Sequence, residues 1–355
     1  MATKATKRLI GIDNTARYRL RNSYAFKGNQ QNYNNVGAFN YGAVDFSVAQ
    51  NTVSFGAGQR RGGVLLPDGR IFILGGTGTC QLYDPVLNTT KTIGTINNAY
   101  GGVLMQDGRV FCIPFGITTA YIFDPKTEAI TTLTGFGNAF RGGVLLQDGR
   151  VFCCPLNRTS AIIYNPLDGT SQIVEGFRSQ SSSLGCVLMQ DGRVLRFATA
   201  IAEIYNPFTN SVSDAGGTFG LHYGGVLLPN GRIYCTAPGG TSRIYNPVTN
   251  TTIAASGSLG SGEAHAGACL TQDGKVFIPN LGAVAPLLYD PILDTLTTLA
   301  PAGSGAAKFL GSVQLPNGQV LMIPFNDATT GILYGNPSSK KLPMGRTHSP
   351  YWNKL

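Results

Sequence analysis

Short apolar runs, each broken by a glycine-containing turn, recur along the chain at nearly constant spacing. One copy, residues 101–111, reads Gly-Gly-Val-Leu-Met-Gln-Asp-Gly-Arg-Val-Phe. Similar copies begin at Gly62, Gly142, Gly185, Gly224, Gly267 and Gly311. The turn glycines of successive copies stand 39 to 44 residues apart. Strands that are apolar on both faces are typical of sheets packed between other sheets, and Asp-Gly or Asn-Gly between two such strands predicts a tight hairpin.

A second recurring pattern follows each hairpin after a loop of variable length. It consists of an aromatic residue, then Asp or Asn, then Pro, and begins at Tyr83, Phe123, Tyr164, Tyr205, Tyr245 and Tyr289. Proline interrupts strand pairing and the Asx side chain starts a turn; a Thr-rich fourth strand follows. Seven repeats of four short antiparallel strands predict an all-β fold, a closed seven-bladed β-propeller.

A closed propeller needs one end of the chain to complete the last sheet. Residues 51–55 resemble the fourth strand of a repeat and precede the first copy, whereas residues 340–342 compete for the same place. The pattern leaves both alternatives open. We therefore divide the chain into an extended arm (1–35), the propeller (36–345) and a short tail (346–355).

Charge changes this picture at the two ends. The net charge is +9, of which residues 1–28 carry +6 and residues 340–355 carry +4, so the repeat region is left at −1. Arg17, Arg19 and Arg21 alternate with apolar residues, which places the three cations on one face of an extended segment. The arm could bind nucleic acid through phosphates, dock on a protein subunit or be a solvated tail. We favour the protein subunit and expect no nucleic acid partner.

Cysteines and hydropathy add two expectations. Cys112, Cys153 and Cys235 occupy equivalent strand positions in different repeats, too far apart to pair, which predicts buried free thiols and synthesis in a reducing compartment. The sequence contains no run of 18 or more apolar residues, so it predicts no membrane span. The first residues lack an apolar signal core, so we expect no secretory signal.

The first repeat resembles the kelch family. Residues 71–76, Ile-Phe-Ile-Leu-Gly-Gly, are followed by Leu82-Tyr83-Asp84-Pro85 and then by a threonine, in the order of a kelch repeat. The resemblance covers about residues 60–345. The Gly pair after the second strand is present only in the first repeat, and the Trp usual in the fourth strand is absent. The near-identical copies are also similar to propellers of structural or adhesive proteins from phages and environmental bacteria.

The mouth of the central channel is where a propeller usually carries chemistry. We predict that the residue two positions before each Gly pair lies beside the axis; these residues are Arg60, Ala99, Phe140, Ser183, His222, His265 and Phe309. His222 and His265, in adjacent repeats, could face one metal. Some kelch-like propellers are copper oxidases, but they also use a Tyr–Cys pair and further domains. We expect no metal and no cofactor, and rim histidines that contact a partner.

The remaining loops predict binding rather than catalysis. They are largely neutral, without the converging acids of a glycosidase or a phosphate-binding glycine loop. The turn arginines should pair locally with the acids of their own hairpins. Because rigid scaffolds expose function on variable loops, the loop face is the predicted binding surface for a glycan or receptor, through Phe115, Asn157, Arg158, Phe325, Asn326 and Asp327.

These observations favour a structural or interaction protein that is not an enzyme. We expect a subunit of a large assembly such as a phage virion (a tail, fibre or decoration component), made in the cytoplasm and docked through its arm. An intracellular kelch-type adaptor that stays in the cytoplasm and a carbohydrate-binding adhesin are the alternatives, and a copper oxidase ranks last.

Overall fold

The computed structural model describes residues 45–56, 58–179, 185–198, 201–237, 240–259, 267–279, 285–301, 309–325 and 330–336. Within them, four-stranded antiparallel sheets form the seven blades of a β-propeller, as predicted. These ranges contain no helix that could cross a membrane. The predicted arm and the competing segment 340–342 lie outside them.

Six blades are built from four consecutive strands, and the seventh combines both ends of the described chain. The chain enters the fold through β1 (Ala49–Ser54). Blade 1 contains β2 (Arg60–Leu65), β3 (Ile71–Gly75), β4 (Thr77–Asp84) and β5 (Thr89–Asn97). Blade 2 contains β6 (Ala99–Leu104), β7 (Val110–Pro114), β8 (Ala120–Asp124) and β9 (Ala129–Leu133). Blade 3 contains β10 (Phe140–Leu145), β11 (Val151–Pro155), β12 (Ser160–Tyr164) and β13 (Ser171–Glu175). Blade 4 contains β14 (Gly185–Leu188), β15 (Val194–Phe197), β16 (Glu203–Asn206) and β17 (Ser211–Asp214). Blade 5 contains β18 (Gly224–Leu227), β19 (Ile233–Thr236), β20 (Arg243–Asn246) and β21 (Thr251–Ala254). Blade 6 contains β22 (Cys269–Leu270), β23 (Val276–Ile278), β24 (Leu287–Asp290) and β25 (Thr295–Thr298). Blade 7 contains β26 (Phe309–Gln314), β27 (Val320–Pro324), β28 (Thr330–Tyr334) and β1.

The N-terminal strand therefore closes the ring. Strand β1 pairs antiparallel with β28, with Ala49 opposite Tyr334. The buried hydroxyl of Thr52 accepts a hydrogen bond of 2.9 Å from the backbone N–H of Gly331. Of the two alternatives that the sequence left open, the structure selects the segment before the first repeat.

The aromatic-Asx-Pro pattern is explained by the turn between the third and fourth strands. In blade 1, the Asp84 carboxylate accepts a 2.8 Å hydrogen bond from the backbone N–H of Val86, and the Tyr83 hydroxyl donates to the side chain of Asn88 at 3.1 Å. Asn88 has φ of 50°, a left-handed conformation that Asn tolerates better than most residues. The aromatic residue thus fixes the turn from inside the blade.

The core lies between adjacent blades. The aromatic side chain of a second strand stacks on that of the next blade's third strand: the ring centroids of Phe72 and Phe123 are 4.1 Å apart, and those of Tyr234 and Tyr289 are 4.3 Å apart. This arrangement explains why the inner strands are apolar on both faces. All seven cysteines are buried in this core and none forms a disulfide, as predicted.

Two faces of the propeller follow from the topology. The Asp-Gly or Asn-Gly turns and the Asx-Pro turns lie at one end, which we call the turn face. The innermost strand of each blade begins, and the second strand ends, at the opposite end. We call that end the loop face, and it carries the variable loops.

Candidate functional site at the axial mouth

A β-bulge at the start of the innermost strand decides which side chain reaches the axis. In blade 1, Arg60 pairs with Gly75 and Gly63 pairs with Ile73, so that two residues, Arg61 and Gly62, oppose a single residue of β3. Gly62 has φ of 115°, which a residue with a side chain rarely adopts. The register also shifts at this point in blades 2, 3 and 7. A bulge of this kind redirects the side chains beside it.

At the five predicted ring positions that the structure describes, the prediction is therefore wrong by one residue. Arg60, Ala99, Phe140, His222 and Phe309 are all buried, and Ala99, Phe140 and Phe309 belong to the cores between blades. The residues that follow them lie at the axis instead. Ser183 and His265 are outside the described residues.

An apolar cluster marks the axis. Tyr100 and Leu310 are buried there and pack with the half-buried Phe115, Tyr223 and Phe325. These residues come from blades 2, 5 and 7, which are not neighbours and so meet at the axis. Two arginines join them, and we call the whole set the axial cluster: Arg61, Tyr100, Phe115, Arg141, Tyr223, Leu310 and Phe325.

The two arginines hold their guanidinium groups against aromatic rings. The guanidinium carbon of Arg61 lies 5.3 Å from the ring centroid of Tyr100 and 5.1 Å from that of Phe115. That of Arg141 lies 4.3 Å from the Tyr100 centroid, and its Nη2 donates a hydrogen bond to the Tyr100 hydroxyl. Such cation–π contacts fix the cations in place and contribute about 0.5–2 kcal/mol each. Tyr100 therefore organises the mouth.

The Gly pair of the first repeat makes room for Arg61. A Cβ on Gly75 would lie 2.4 Å from the carbonyl oxygen of Gly78, so this glycine permits the tight loop. A Cβ on Gly76 would lie 2.6 Å from Nε of Arg61. The glycines that resemble a kelch signature thus have a specific local role, since the second one admits a cation to the axis.

The positive charge of the axial cluster is not neutralised within the part of the chain that the structure describes. Nε and Nη1 of Arg61 and Nε of Arg141 are buried without a hydrogen-bond partner there, and neither arginine forms an ion pair with a described carboxylate. Burial lowers the pKa of Arg61, and the positive charge of Arg141 lowers it further, whereas Tyr100 raises it. An anion bound at this place would offset the free-energy cost of burying the two positive charges.

The turn face is electrostatically different. Arg70, Arg109, Arg150 and Arg193 each lie 2.7 Å from a carboxylate oxygen of the Asp in the same turn. The predicted local pairing is confirmed for these four. The charge of each is matched within its own hairpin, in contrast to the two arginines at the axial mouth.

The predicted binding residues other than His222 fall into three groups. Phe115 and Phe325 belong to the axial cluster. Arg158 donates from Nη1 to the carbonyl of Asn138 at 2.7 Å, with its guanidinium 5.1 Å from the ring centroid of Phe140, and Asn157 beside it is exposed with φ of 55°. The others lie outside the described residues: Arg17, Arg19, Arg21, His265, Asn326 and Asp327. Binding by any of these residues stays a prediction.

His222 is an interior residue rather than a rim residue. Its side chain is buried, Nδ1 lies 2.9 Å from the carbonyl oxygen of Gly220, and its ring stands edge-on to Phe219. Burial lowers its pKa, so the ring is neutral at pH 7. The described residues contain no group of three or more His, Cys, Asp or Glu side chains that could hold a metal. His265 lies outside the described residues, so the expectation that His222 and His265 hold no metal stays a prediction.

Sequence reasoning missed Arg61, Tyr100 and Arg141. The signal was the single residue between the predicted ring position and the first glycine. It was overlooked because the β-bulge at this point was not foreseen from the sequence. An aromatic or cationic residue stands there in four of the repeats: Arg61, Tyr100, Arg141 and Tyr223.

No family model and no curated protein sequence matches the chain. Solved structures do match it. A streptogramin B lyase is 12% identical with a TM-score of 0.69, covering 81% of this chain and 98% of that one. A virginiamycin B lyase from Staphylococcus aureus is 10% identical with a TM-score of 0.70, covering 81% and 99%. A fungal alcohol oxidase of the AA5 family, in complex with copper, is 15% identical with a TM-score of 0.63, covering 83% and 79%.

These likenesses correct one prediction. The sequence led us to expect that the protein is not an enzyme, but the lyases whose structures it resembles are enzymes with a similar fold. Neutral predicted loops are therefore no argument against catalysis by such a propeller. At 10–15% identity the shared property is the fold, and the chain is a seven-bladed β-propeller whose resemblance to kelch and phage proteins stays a prediction.

Proposed function

We propose that this protein is an interaction protein that binds an acidic partner across its loop face. One observation carries the proposal: on the loop face, Arg61, Arg141 and Arg158 form no ion pair with a described carboxylate. On the turn face, by contrast, four arginines are each paired with the Asp of their own hairpin. When arginine charges are neutralised at one end of a rigid scaffold and not at the other, the electrostatic potential is more positive at the second end.

These three cations are held rigidly. Their guanidinium groups are fixed over aromatic rings at 4.3 to 5.3 Å, so that little side-chain entropy is lost when a partner binds. Arg60 is different, because its guanidinium donates to the backbone carbonyls of residues 55, 56 and 58 and so supports the fold.

The experiment compares two triple variants with poly-L-glutamate as the probe, measured by fluorescence anisotropy at two salt concentrations. The loop-face variant carries R61Q, R141Q and R158Q, and the turn-face control carries R109Q, R150Q and R193Q. Both lower the formal net charge from +9 to +6, so only the position of the charges differs.

We expect the loop-face variant to bind at least about tenfold more weakly, since losing two or three charge-assisted contacts removes more than about 1.4 kcal/mol. The control should stay within about twofold of the wild type. Equal weakening of both variants would show a net-charge effect alone, and unchanged binding in both would place the contact elsewhere; either result refutes the proposal.

A second candidate is a subunit of a large assembly, such as a virion, docked through residues 1–35. Its support is the charge distribution, with +6 in residues 1–28 against a nearly neutral repeat region. Material purified from its native source should then elute in a large particle with stoichiometric co-subunits by size-exclusion chromatography with light scattering. Deleting residues 1–35 should abolish incorporation and leave the fold intact. A free monomer from the native source would eliminate this candidate.

A further inference from the structure

The axial mouth has the properties of a pocket for one particular chemical group. It places two guanidinium groups near one aromatic ring: the guanidinium carbons of Arg61 and Arg141 lie 5.3 Å and 4.3 Å from the centroid of Tyr100. Like charges held this close repel each other. In the low-dielectric setting of half-buried rings that repulsion is larger than in water. Each guanidinium also keeps a buried N–H group without a described partner, so an anion that reaches both groups would offset the repulsion.

The donors at the mouth match a carboxylate. A guanidinium carries its N–H groups in one plane, where they can meet the two oxygens of a carboxylate. The Tyr100 hydroxyl accepts its hydrogen bond from Arg141, so it retains its own proton to donate. The site therefore offers donors of three side chains and no carboxylate among the described residues.

The rest of the mouth is apolar. Leu310 is buried beside Tyr100, and the half-buried rings of Phe115, Tyr223 and Phe325 complete the cluster. Exposed faces of aromatic side chains favour a flat apolar body, whereas a small hydrated anion such as phosphate would leave them in contact with water. We infer that the axial mouth binds a carboxylate carried on a planar apolar or aromatic body.

This inference deepens the proposed function and rests on it, because it names the group of the acidic partner that reaches the axis. Benzoate is the probe, titrated into the full chain by isothermal calorimetry. Three comparison compounds separate the contributions: benzamide has the same shape without the charge, acetate has the charge without the ring, and inorganic phosphate has charge without an apolar body.

We expect benzoate to bind at least about tenfold more tightly than each comparison compound, and R61Q or R141Q to weaken it by at least about tenfold. The matched control R109Q, at a turn arginine, should leave it within about twofold. Thermal unfolding of each variant checks that the fold survives. The comparison of benzoate with benzamide needs no variant, so the inference can be tested even if a substitution disturbs folding.

Three results would overturn the inference: equal affinity for benzoate and benzamide, preference for phosphate over benzoate, or no benzoate binding at all. They are distinguishable from failure of the proposed function. If benzoate does not bind but poly-L-glutamate still depends on the loop-face arginines, only the inference fails. If benzoate binds as expected but the two triple variants bind poly-L-glutamate equally, the proposed function is refuted and the inference is not. The axial mouth is then a site for a small molecule.

Discussion

Replacing Glu203 by Ile should destabilise the protein by about 3–5 kcal/mol, because it leaves a buried cation without its partner. The side chains of Arg196 and Glu203 are 0% and 2% exposed and form an ion pair across strands β15 and β16. Arg196 also donates to the carbonyls of Pro155 and Arg178 at 3.1 Å each, and the backbone N–H of Arg178 donates to Glu203 at 2.9 Å. With an unfolding entropy of roughly 2 cal/mol/K per residue, this loss corresponds to a fall in Tm of about 5–8 °C for roughly 300 residues.

Blade 7 supplies the matched control. The same cross-strand pair there is Met322 opposite Ile332, so the double variant R196M/E203I transplants an apolar pair that the fold already uses. We expect it to recover at least half of the lost stability, since exchanging a whole buried ion pair for apolar residues is often nearly neutral. Calorimetric or urea unfolding measures both variants. If E203I stays within about 1 kcal/mol of the wild type, or if the double variant is as unstable as E203I, the uncompensated charge is not the cause.

Three further predictions follow from the geometry of the loop face, of a buried histidine and of the ring closure. Gly76→Ala should displace the guanidinium of Arg61 and weaken benzoate binding several-fold, as measured by calorimetry. The control is Gly220→Ala, where a Cβ would meet nothing within 4 Å, and it should leave benzoate binding unchanged. The buried ring of His222 resists protonation, but the unfolded chain takes up that proton near pH 6.5, so stability is lost as the pH falls below that value. The Tm of His222→Phe should therefore fall less than that of the wild type between pH 7 and 5. An equal fall in Tm for both proteins would contradict this account. Deleting residues 1–54 removes β1 and should lower the Tm by at least about 10 °C, whereas deleting residues 1–35 should leave it nearly unchanged in the same scan.

The repeat made most of the fold predictable. Asp-Gly turns, aromatic-Asx-Pro turns and doubly apolar strands each have a local physical cause, and their sevenfold recurrence determined blade number and strand order. The closing strand was not decidable, because the local patterns of residues 51–55 and 340–342 do not decide between them. Long-range pairing such as that of Thr52 with Gly331, 279 residues apart, leaves no signal in a local pattern.

The candidate site was less predictable than the fold. The predicted axial ring took the residue two positions before each Gly pair, and the bulge at Gly62 and its equivalents places the following residue at the axis instead. Arg61 and Arg141 were thereby missed, although Phe115 and Phe325 were identified from their loops. The ion pair of Arg196 with Glu203 was also missed, because an arginine at a position that holds an apolar residue in the other repeats gives no indication of which acid will neutralise it.

Hydrogen–deuterium exchange of the full chain with and without poly-L-glutamate tests most directly where the acidic partner binds. We predict protection in peptides that cover residues 59–62, 98–101, 115–119 and 138–141, which belong to the loop face, and unchanged exchange in peptides that cover the Asp-Gly turns. Protection at the turns, or protection confined to residues 1–35 and 340–355, would contradict the proposal that the loop face of the propeller is the binding surface.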